Sequence, residues 1–140
     1  MTSDHPVIQA MREMAEAASA RAYCPYSGFA VGAAVLTDGG ALFSAANAEN
    51  ASLGLTICAE RNAIFHAVAA GHRRLVALVV YTPTGSPTSP CGACRQVLDE
   101  FGPDAEVFSF AASGERLQAS IRSLLPHPFG LPHSPRDGSG

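Results

Sequence analysis

The sequence predicts an α/β protein: a mixed five-stranded sheet with helices on both faces, in three layers, α-β-α. Three observations carry this. A helix-period stripe opens the chain, and two β-compatible runs joined by a glycine turn follow it. An unbroken apolar run from Leu75 to Tyr81 is of strand length, as in a strand covered on both faces. Helical segments bracket that run, so the order helix, hairpin, helix, strand, helix, strand is met by sandwiching the sheet.

In the first segment Val7, Ile8, Met11, Met14, Ala15 and Ala18 recur at helical spacing, with Ser3 or Asp4 as the candidate cap and Pro6 in the first turn. Tyr23 to Gly28 breaks the helix as a loop. Phe29 to Leu36 and Ala41 to Ala45 are read as hairpin strands about the turn Asp38-Gly39-Gly40. Polar Asn47-Ala48-Glu49-Asn50 ends the second strand, where binding groups commonly sit. A helix is expected from Ile57 or Cys58 to Ala70, with Thr56 as its cap and Gly71 as its stop. Thr82 to Pro90, rich in Pro, Ser, Thr and Gly, is a loop. Cys91 to Phe101 is the next helix, stopped by Gly102-Pro103. Ala105 to Phe110 is a strand, Ser113-Gly114 a turn, Glu115 to Gln118 a short edge strand and Ile121 to Leu125 a helical piece. Residues 1–132 are expected to form one domain. From Pro126 the chain holds four prolines, with Gly and Ser at its end, and residues 133–140 are expected to fray as a tail.

Composition narrows the function. Of 140 residues, 47% are hydrophobic and only 15% charged, which excludes a disordered chain and suggests surface covered by other subunits. The net charge is −3 and the sequence has no lysine, so the basic stripe of a nucleic-acid binder is missing. No apolar run is long enough to span a bilayer, and the start lacks the pattern of a signal peptide. A soluble, cytoplasmic protein without nucleic-acid or membrane partners is expected. Four cysteines in such a chain point to metal or catalysis before disulfides.

Those cysteines define the chemistry. Cys58-Ala59-Glu60 opens one helix and Pro90-Cys91-Gly92-Ala93-Cys94 opens the next. Cys-x-x-Cys puts two sulfurs on one helical turn, and all three lie near helix N-termini, where dipole and free amides favour thiolates. A right-handed crossover about the third strand would bring them to one end of the sheet. Three thiolates and an open position describe a catalytic zinc site, one ion per chain. The pattern Cys-x-Glu with Pro-Cys-x-x-Cys is the three-cysteine form of a zinc-deaminase signature. Zinc lowers the pKa of its water. Glu60 would shuttle that water's proton as hydroxide attacks the carbon bearing an amino group. Three thiolates outweigh the charge of zinc, and Arg61 and Arg95, each following a site residue, are expected to hydrogen-bond the sulfurs and offset the excess. The residues alone leave three alternatives: a closed four-cysteine site using Cys24, three metal-free thiols, and Glu60 as an ordinary first-turn carboxylate.

The chain resembles the small homotetrameric cytidine deaminases from about Arg21 to Phe129. Four motifs in order carry the likeness: Ala22 to Ala34, Asn47 to Ser52, Thr56 to Ile64 and Ser89 to Val97. The resemblance implies that family's α-β-α fold and a homotetramer that hydrolyses cytidine and deoxycytidine in pyrimidine salvage. It implies Cys58, Cys91 and Cys94 as zinc ligands and Glu60 as proton shuttle. Asn47 and Glu49 would bind the ribose, chiefly its 3′ hydroxyl, and Phe29 would pack on the pyrimidine. The backbone at Ala59 and Ser89 would read the base edge, and Phe129 would reach into a neighbouring subunit's site. Asn-x-Glu on extended backbone also points an amide and a carboxylate to one side, as a ribose requires. Asn47 as a turn residue and Phe29 as core are the plainer readings; His66 and His72 are read as structural. The chain departs from the pattern at Leu53, where many relatives carry an aromatic residue, and in the Pro- and His-rich stretch Pro126 to Pro132. Competing functions are deamination of another aminopyrimidine compound, a non-catalytic zinc module and nucleic-acid editing.

Overall fold

A computed structural model describes residues 1–132 and Pro135; the expected fraying of 133–140 falls, Pro135 apart, outside the described residues. The sheet has five strands: β1 (Gly32–Thr37), β2 (Leu42–Ala46), β3 (Leu75–Thr82), β4 (Glu106–Ala111) and β5 (Arg116–Ser120). Their order is β2-β1-β3-β4-β5, with β3/β4 parallel and every other pair antiparallel. The mixed sheet expected from the sequence is therefore observed.

Strand alternation divides the core. On one face α1 (Pro6–Ser19) lays Ile8, Met11 and Ala15 on Ala34, Leu36, Ala77, Val79 and Phe108. On the other, α2 (Ala59–Ala69) and α3 (Gly92–Phe101) bring Ala63, Ile64, Ala67 and Leu98 onto Ala33, Val35, Leu78, Val80 and Val107. Each large aliphatic side chain so buried contributes roughly 1.5–3 kcal/mol. Strand β3 is buried at every position but Val76, which explains its unbroken apolar run. A short helix α4 (Ile121–Leu124) follows β5, with the Ser120 hydroxyl as its cap.

Several boundaries differ from expectation for identifiable reasons. Pro6 occupies the first helical position of α1, so the cap is His5, whose Nδ1 accepts from the Val7 N–H at 3.1 Å. Asp4, one of the expected caps, pairs with Arg116 instead. The first strand begins at Gly32 rather than Phe29. The Asn47 side chain binds the Phe29 carbonyl (2.8 Å) and the Val31 N–H (2.9 Å), taking groups that a strand ladder would use. Thr56 does not cap α2: Cys58 holds that position, and the Thr56 hydroxyl accepts from the Asn50 N–H. A 3₁₀ turn at Leu53–Leu55 was not expected.

The topology positions the helix ends. Strands β2 and β3 both run antiparallel to β1 and hence in the same direction. Helix α2 follows β2, and α3 follows β3. Both helices therefore start beyond the carboxyl ends of strands pointing the same way, where α/β proteins place their sites.

Helix α1 crosses β1 with backbone on backbone. A Cβ built on Gly32 would lie 1.7 Å from the Ala15 carbonyl oxygen, whereas one on Gly54 would meet open space. Gly32→Ala is expected to destabilise the fold by roughly 1–3 kcal/mol or more, and Gly54→Ala to leave it nearly unchanged. Thermal unfolding of the two variants checks this; equal midpoints would contradict it.

Candidate active site

Helix α2 starts at Cys58 and α3 at Cys91, and in neither does the cap side chain bond to the helix. A serine or aspartate there would add about 1 kcal/mol; these positions leave sulfur free instead. Cys94 lies in the first turn of α3, fully buried. The Cys58 and Cys91 sulfurs are 3.9 Å apart, those of Cys91 and Cys94 3.4 Å, and all three lie within 4.8 Å of one another. A tetrahedral zinc with bonds of about 2.3 Å would set its sulfurs about 3.8 Å apart. The observed triangle fits that ion. Cys24 is not in the cluster, so among the described residues no fourth protein sulfur closes the site.

The electrostatics agree with ligation. Hydrogen bonds from Cys94 and Arg61 bring the Cys58 thiol down to about 5, while Cys94, donor to Cys58, holds its proton more tightly than an ordinary thiol. Arg61 Nη2 donates to the Cys58 sulfur at 3.5 Å, and its buried Nε has no hydrogen-bond partner among the described residues. A positive charge is thus set against the thiolates, as the excess negative charge of three cysteines on zinc requires.

Glu60 is the second residue of α2 and only 4% exposed. Burial pushes its carboxyl up to about 7, and the Cys58 thiolate pushes the same way. It lines a cleft of about 220 Å³ with Phe29, Val31, Asn47, Thr56, Cys58, Ala59, Thr88, Ser89 and Cys91. The cleft therefore joins two thiols and a carboxyl that titrates near neutrality to an apolar wall.

Its far wall is built by three stretches lying side by side. Ala48 pairs with Tyr23 on one side and Ile57 on the other. This draws Asn47 and Glu49 beside the start of α2 and beside the loop that carries Phe29. Phe29 is 40% exposed, with its ring available at the cleft, which sets aside a pure core role. Glu49 does not line the cleft. Its carboxylate accepts the Tyr26 and Ser27 N–H groups at 3.0 and 3.1 Å and the Ser27 hydroxyl.

Of the residues singled out in the sequence, Cys58, Cys91, Glu60, Phe29, Asn47, Ala59 and Ser89 meet in this cleft, with Cys94 behind them. Arg95 is a correction. Its guanidinium donates to the Pro90 carbonyl (2.8 Å), the Leu124 carbonyl (3.0 Å) and Ser89 Oγ (3.0 Å), and to no sulfur. It points along α3 to the loop before it, and braces that loop rather than the thiolates. Phe129 lies outside its own chain's cleft, 69% exposed, its backbone held at both N–H and carbonyl by the Gln96 amide. His66 and His72 pack against the Phe43 ring at 5.0 and 5.2 Å, as structural residues would. Thr88 and Val31 line the cleft unannounced; the loop composition around Thr88 gave no sign of it.

The geometry makes a metal-binding prediction. Cys94→Ala is expected to abolish stoichiometric zinc, and Cys24→Ala to retain one zinc per chain, by elemental analysis of purified protein. Loss of zinc in the Cys24 variant would instead indicate a closed four-cysteine site.

Comparison with known proteins gives the same answer from a separate direction. The profile of the cytidine and deoxycytidylate deaminase zinc-binding region matches residues 6–110. The cytidine deaminase of Halalkalibacterium halodurans is 48% identical over 117 residues, covering 81% of this chain and 89% of that protein. That of Mycobacterium tuberculosis is 43% identical over 127 residues, covering 91% and 92%. The crystal structure of cytidine deaminase from Burkholderia pseudomallei superposes with a TM-score of 0.84 at 47% identity, over 92% of this chain and 100% of that one. With its three converging thiols and Glu60 inside the matched region, the chain belongs to the cytidine and deoxycytidylate deaminase family.

Proposed function

We propose that residues 1–132, acting as one domain, catalyse the zinc-dependent hydrolytic deamination of cytidine and 2′-deoxycytidine. Water is consumed, ammonia leaves, and uridine or 2′-deoxyuridine remains. The observation that carries this is the placement of Glu60: a buried carboxyl lining one cleft with Cys58 and Cys91. A structural zinc module has no use for a buried carboxyl beside its ion.

Zinc, when held by Cys58, Cys91 and Cys94, supplies the Lewis acidity that makes water a nucleophile at neutral pH. Glu60 does the proton work. Its carboxylate takes a proton from the attacking water and delivers it to the pyrimidine N3. It then carries a second proton to the departing amino nitrogen. Burial excludes bulk water from this exchange.

Other cleft residues hold the nucleoside, together with Glu49 beside the cleft. Phe29 packs its ring on the pyrimidine, and the backbone at Ala59 and Ser89 reads the base edge. Asn47 keeps one amide proton and one acceptor lone pair beyond its two backbone bonds, and Glu49 Oε2 has only one hydrogen bond. Both are free to bind ribose hydroxyls. We place the enzyme in the cytoplasm as a homotetramer, serving pyrimidine salvage, with Phe129 completing a neighbour's site. Exposed Tyr23, Tyr26, Leu53, Leu55 and Phe65 support burial against other subunits. No helix among the described residues is long and apolar enough to cross a membrane.

Ultraviolet absorbance of cytidine with zinc-loaded protein tests the reaction. The parent is expected to convert cytidine to uridine, and Glu60→Ala to lose roughly 10²–10⁴-fold in kcat while keeping its zinc. No turnover of cytidine or deoxycytidine by a fully zinc-loaded parent would refute the proposal.

A further inference from the structure

Ser27 lies in the loop between α1 and β1, and the deamination chemistry gives it no task. Its hydroxyl meets two groups. One is Glu49 Oε2; the other is the Phe29 N–H, at 3.0 Å. An amide N–H only donates, so the hydroxyl accepts there and must give its single proton to Glu49. The direction of both bonds is therefore fixed.

The same loop closes the other side of the carboxylate. The Tyr26 and Ser27 N–H groups share Glu49 Oε1. Together these contacts hold the carboxyl below its ordinary range, with the Ser27 hydroxyl the largest cause. Phe29 is tied down in turn, its carbonyl accepting from Asn47 Nδ2 at 2.8 Å. A serine that bonds only to the N–H two residues on is a common local turn. Here the hydroxyl also reaches a carboxylate 22 positions away in sequence.

We propose that Ser27 is a positioning residue for the nucleoside: its hydroxyl locks the Glu49 carboxylate to the Phe29 backbone, so that the sugar acceptor and the base-packing ring are presented as one unit. This rests on the reading of Glu49 and Phe29 as substrate contacts. Without the hydroxyl, both exposed groups turn to water and the loop survives. Oε1 keeps its bonds to the Tyr26 and Ser27 N–H groups, but Oε2 loses the Ser27 hydroxyl. The carboxylate can then twist about its held oxygen and must be reordered whenever substrate binds, which weakens binding of the sugar and leaves the chemical step alone.

The test is steady-state kinetics of the zinc-loaded parent, Ser27→Ala and Ser27→Thr on cytidine and on 3′-deoxycytidine, with thermal unfolding alongside. Ser27→Ala is expected to raise KM for cytidine roughly tenfold with kcat within about twofold. With 3′-deoxycytidine, where no hydroxyl meets Glu49, the same substitution is expected to change KM less than about twofold. Ser27→Thr, which keeps the hydroxyl, is expected to restore the parent's KM. The proposal is overturned by parent-like KM in Ser27→Ala, by equal losses on both substrates, or by a fall in kcat with a lowered unfolding midpoint. A parent that turns over cytidine and 3′-deoxycytidine with equal KM overturns the sugar contact beneath it. A parent silent on cytidine overturns the deaminase reading as well.

Discussion

The convergence of three sulfurs at two helix N-termini is the constraint on which the rest of the molecule depends. It needs β2 and β3 to run the same way, so that α2 and α3 both start at one end of the sheet. It needs α1 on the opposite face, close enough to β1 that Gly32 tolerates no side chain. It also needs a positive charge against the thiolates, which Arg61 supplies at 3.5 Å. Arg95 serves the same site mechanically, tying Ser89 and Pro90 to the end of α4.

Stability is given up where the site requires it. Both helices start on cysteines that do not cap them. A carboxyl is buried among thiols, where burial itself raises its pKa. Such local inconsistencies mark functional positions. The surrounding core offsets them, since nearly all of β3 is buried and both faces of the sheet carry packed aliphatic side chains.

Much of this was legible in the sequence, because the relevant signals are local. A helix-period stripe located α1, and apolar runs bounded by Gly, Pro and other turn residues located the strands and the remaining α-helices within a few residues, though not the 3₁₀ turn at Leu53–Leu55; Cys-x-x-Cys puts two sulfurs on one turn. What could not be read depends on choices between partners distant in the chain. Arg95 was expected on the sulfurs because it follows Cys94, yet a long guanidinium reaches the Pro90 and Leu124 carbonyls equally well. Asn47 and Glu49 were legible as polar residues at a strand end. That their side chains also pin Phe29, Val31 and Ser27 follows only from the pairing of Ala48 with Tyr23 and Ile57. Thr56 looked like a helix cap because threonine is a better cap than cysteine; instead Cys58 holds the cap position with its side chain unbonded to the helix, within reach of the other two sulfurs.

The central claim is that three cysteines hold the zinc and leave it open toward Glu60. X-ray absorption at the zinc edge of the purified holoenzyme tests this directly. The account predicts a first shell of three sulfurs at about 2.3 Å and one oxygen or nitrogen at about 2.0–2.2 Å. A shell of four sulfurs would contradict it, because the ion would then be closed and Glu60 would have no water to act on.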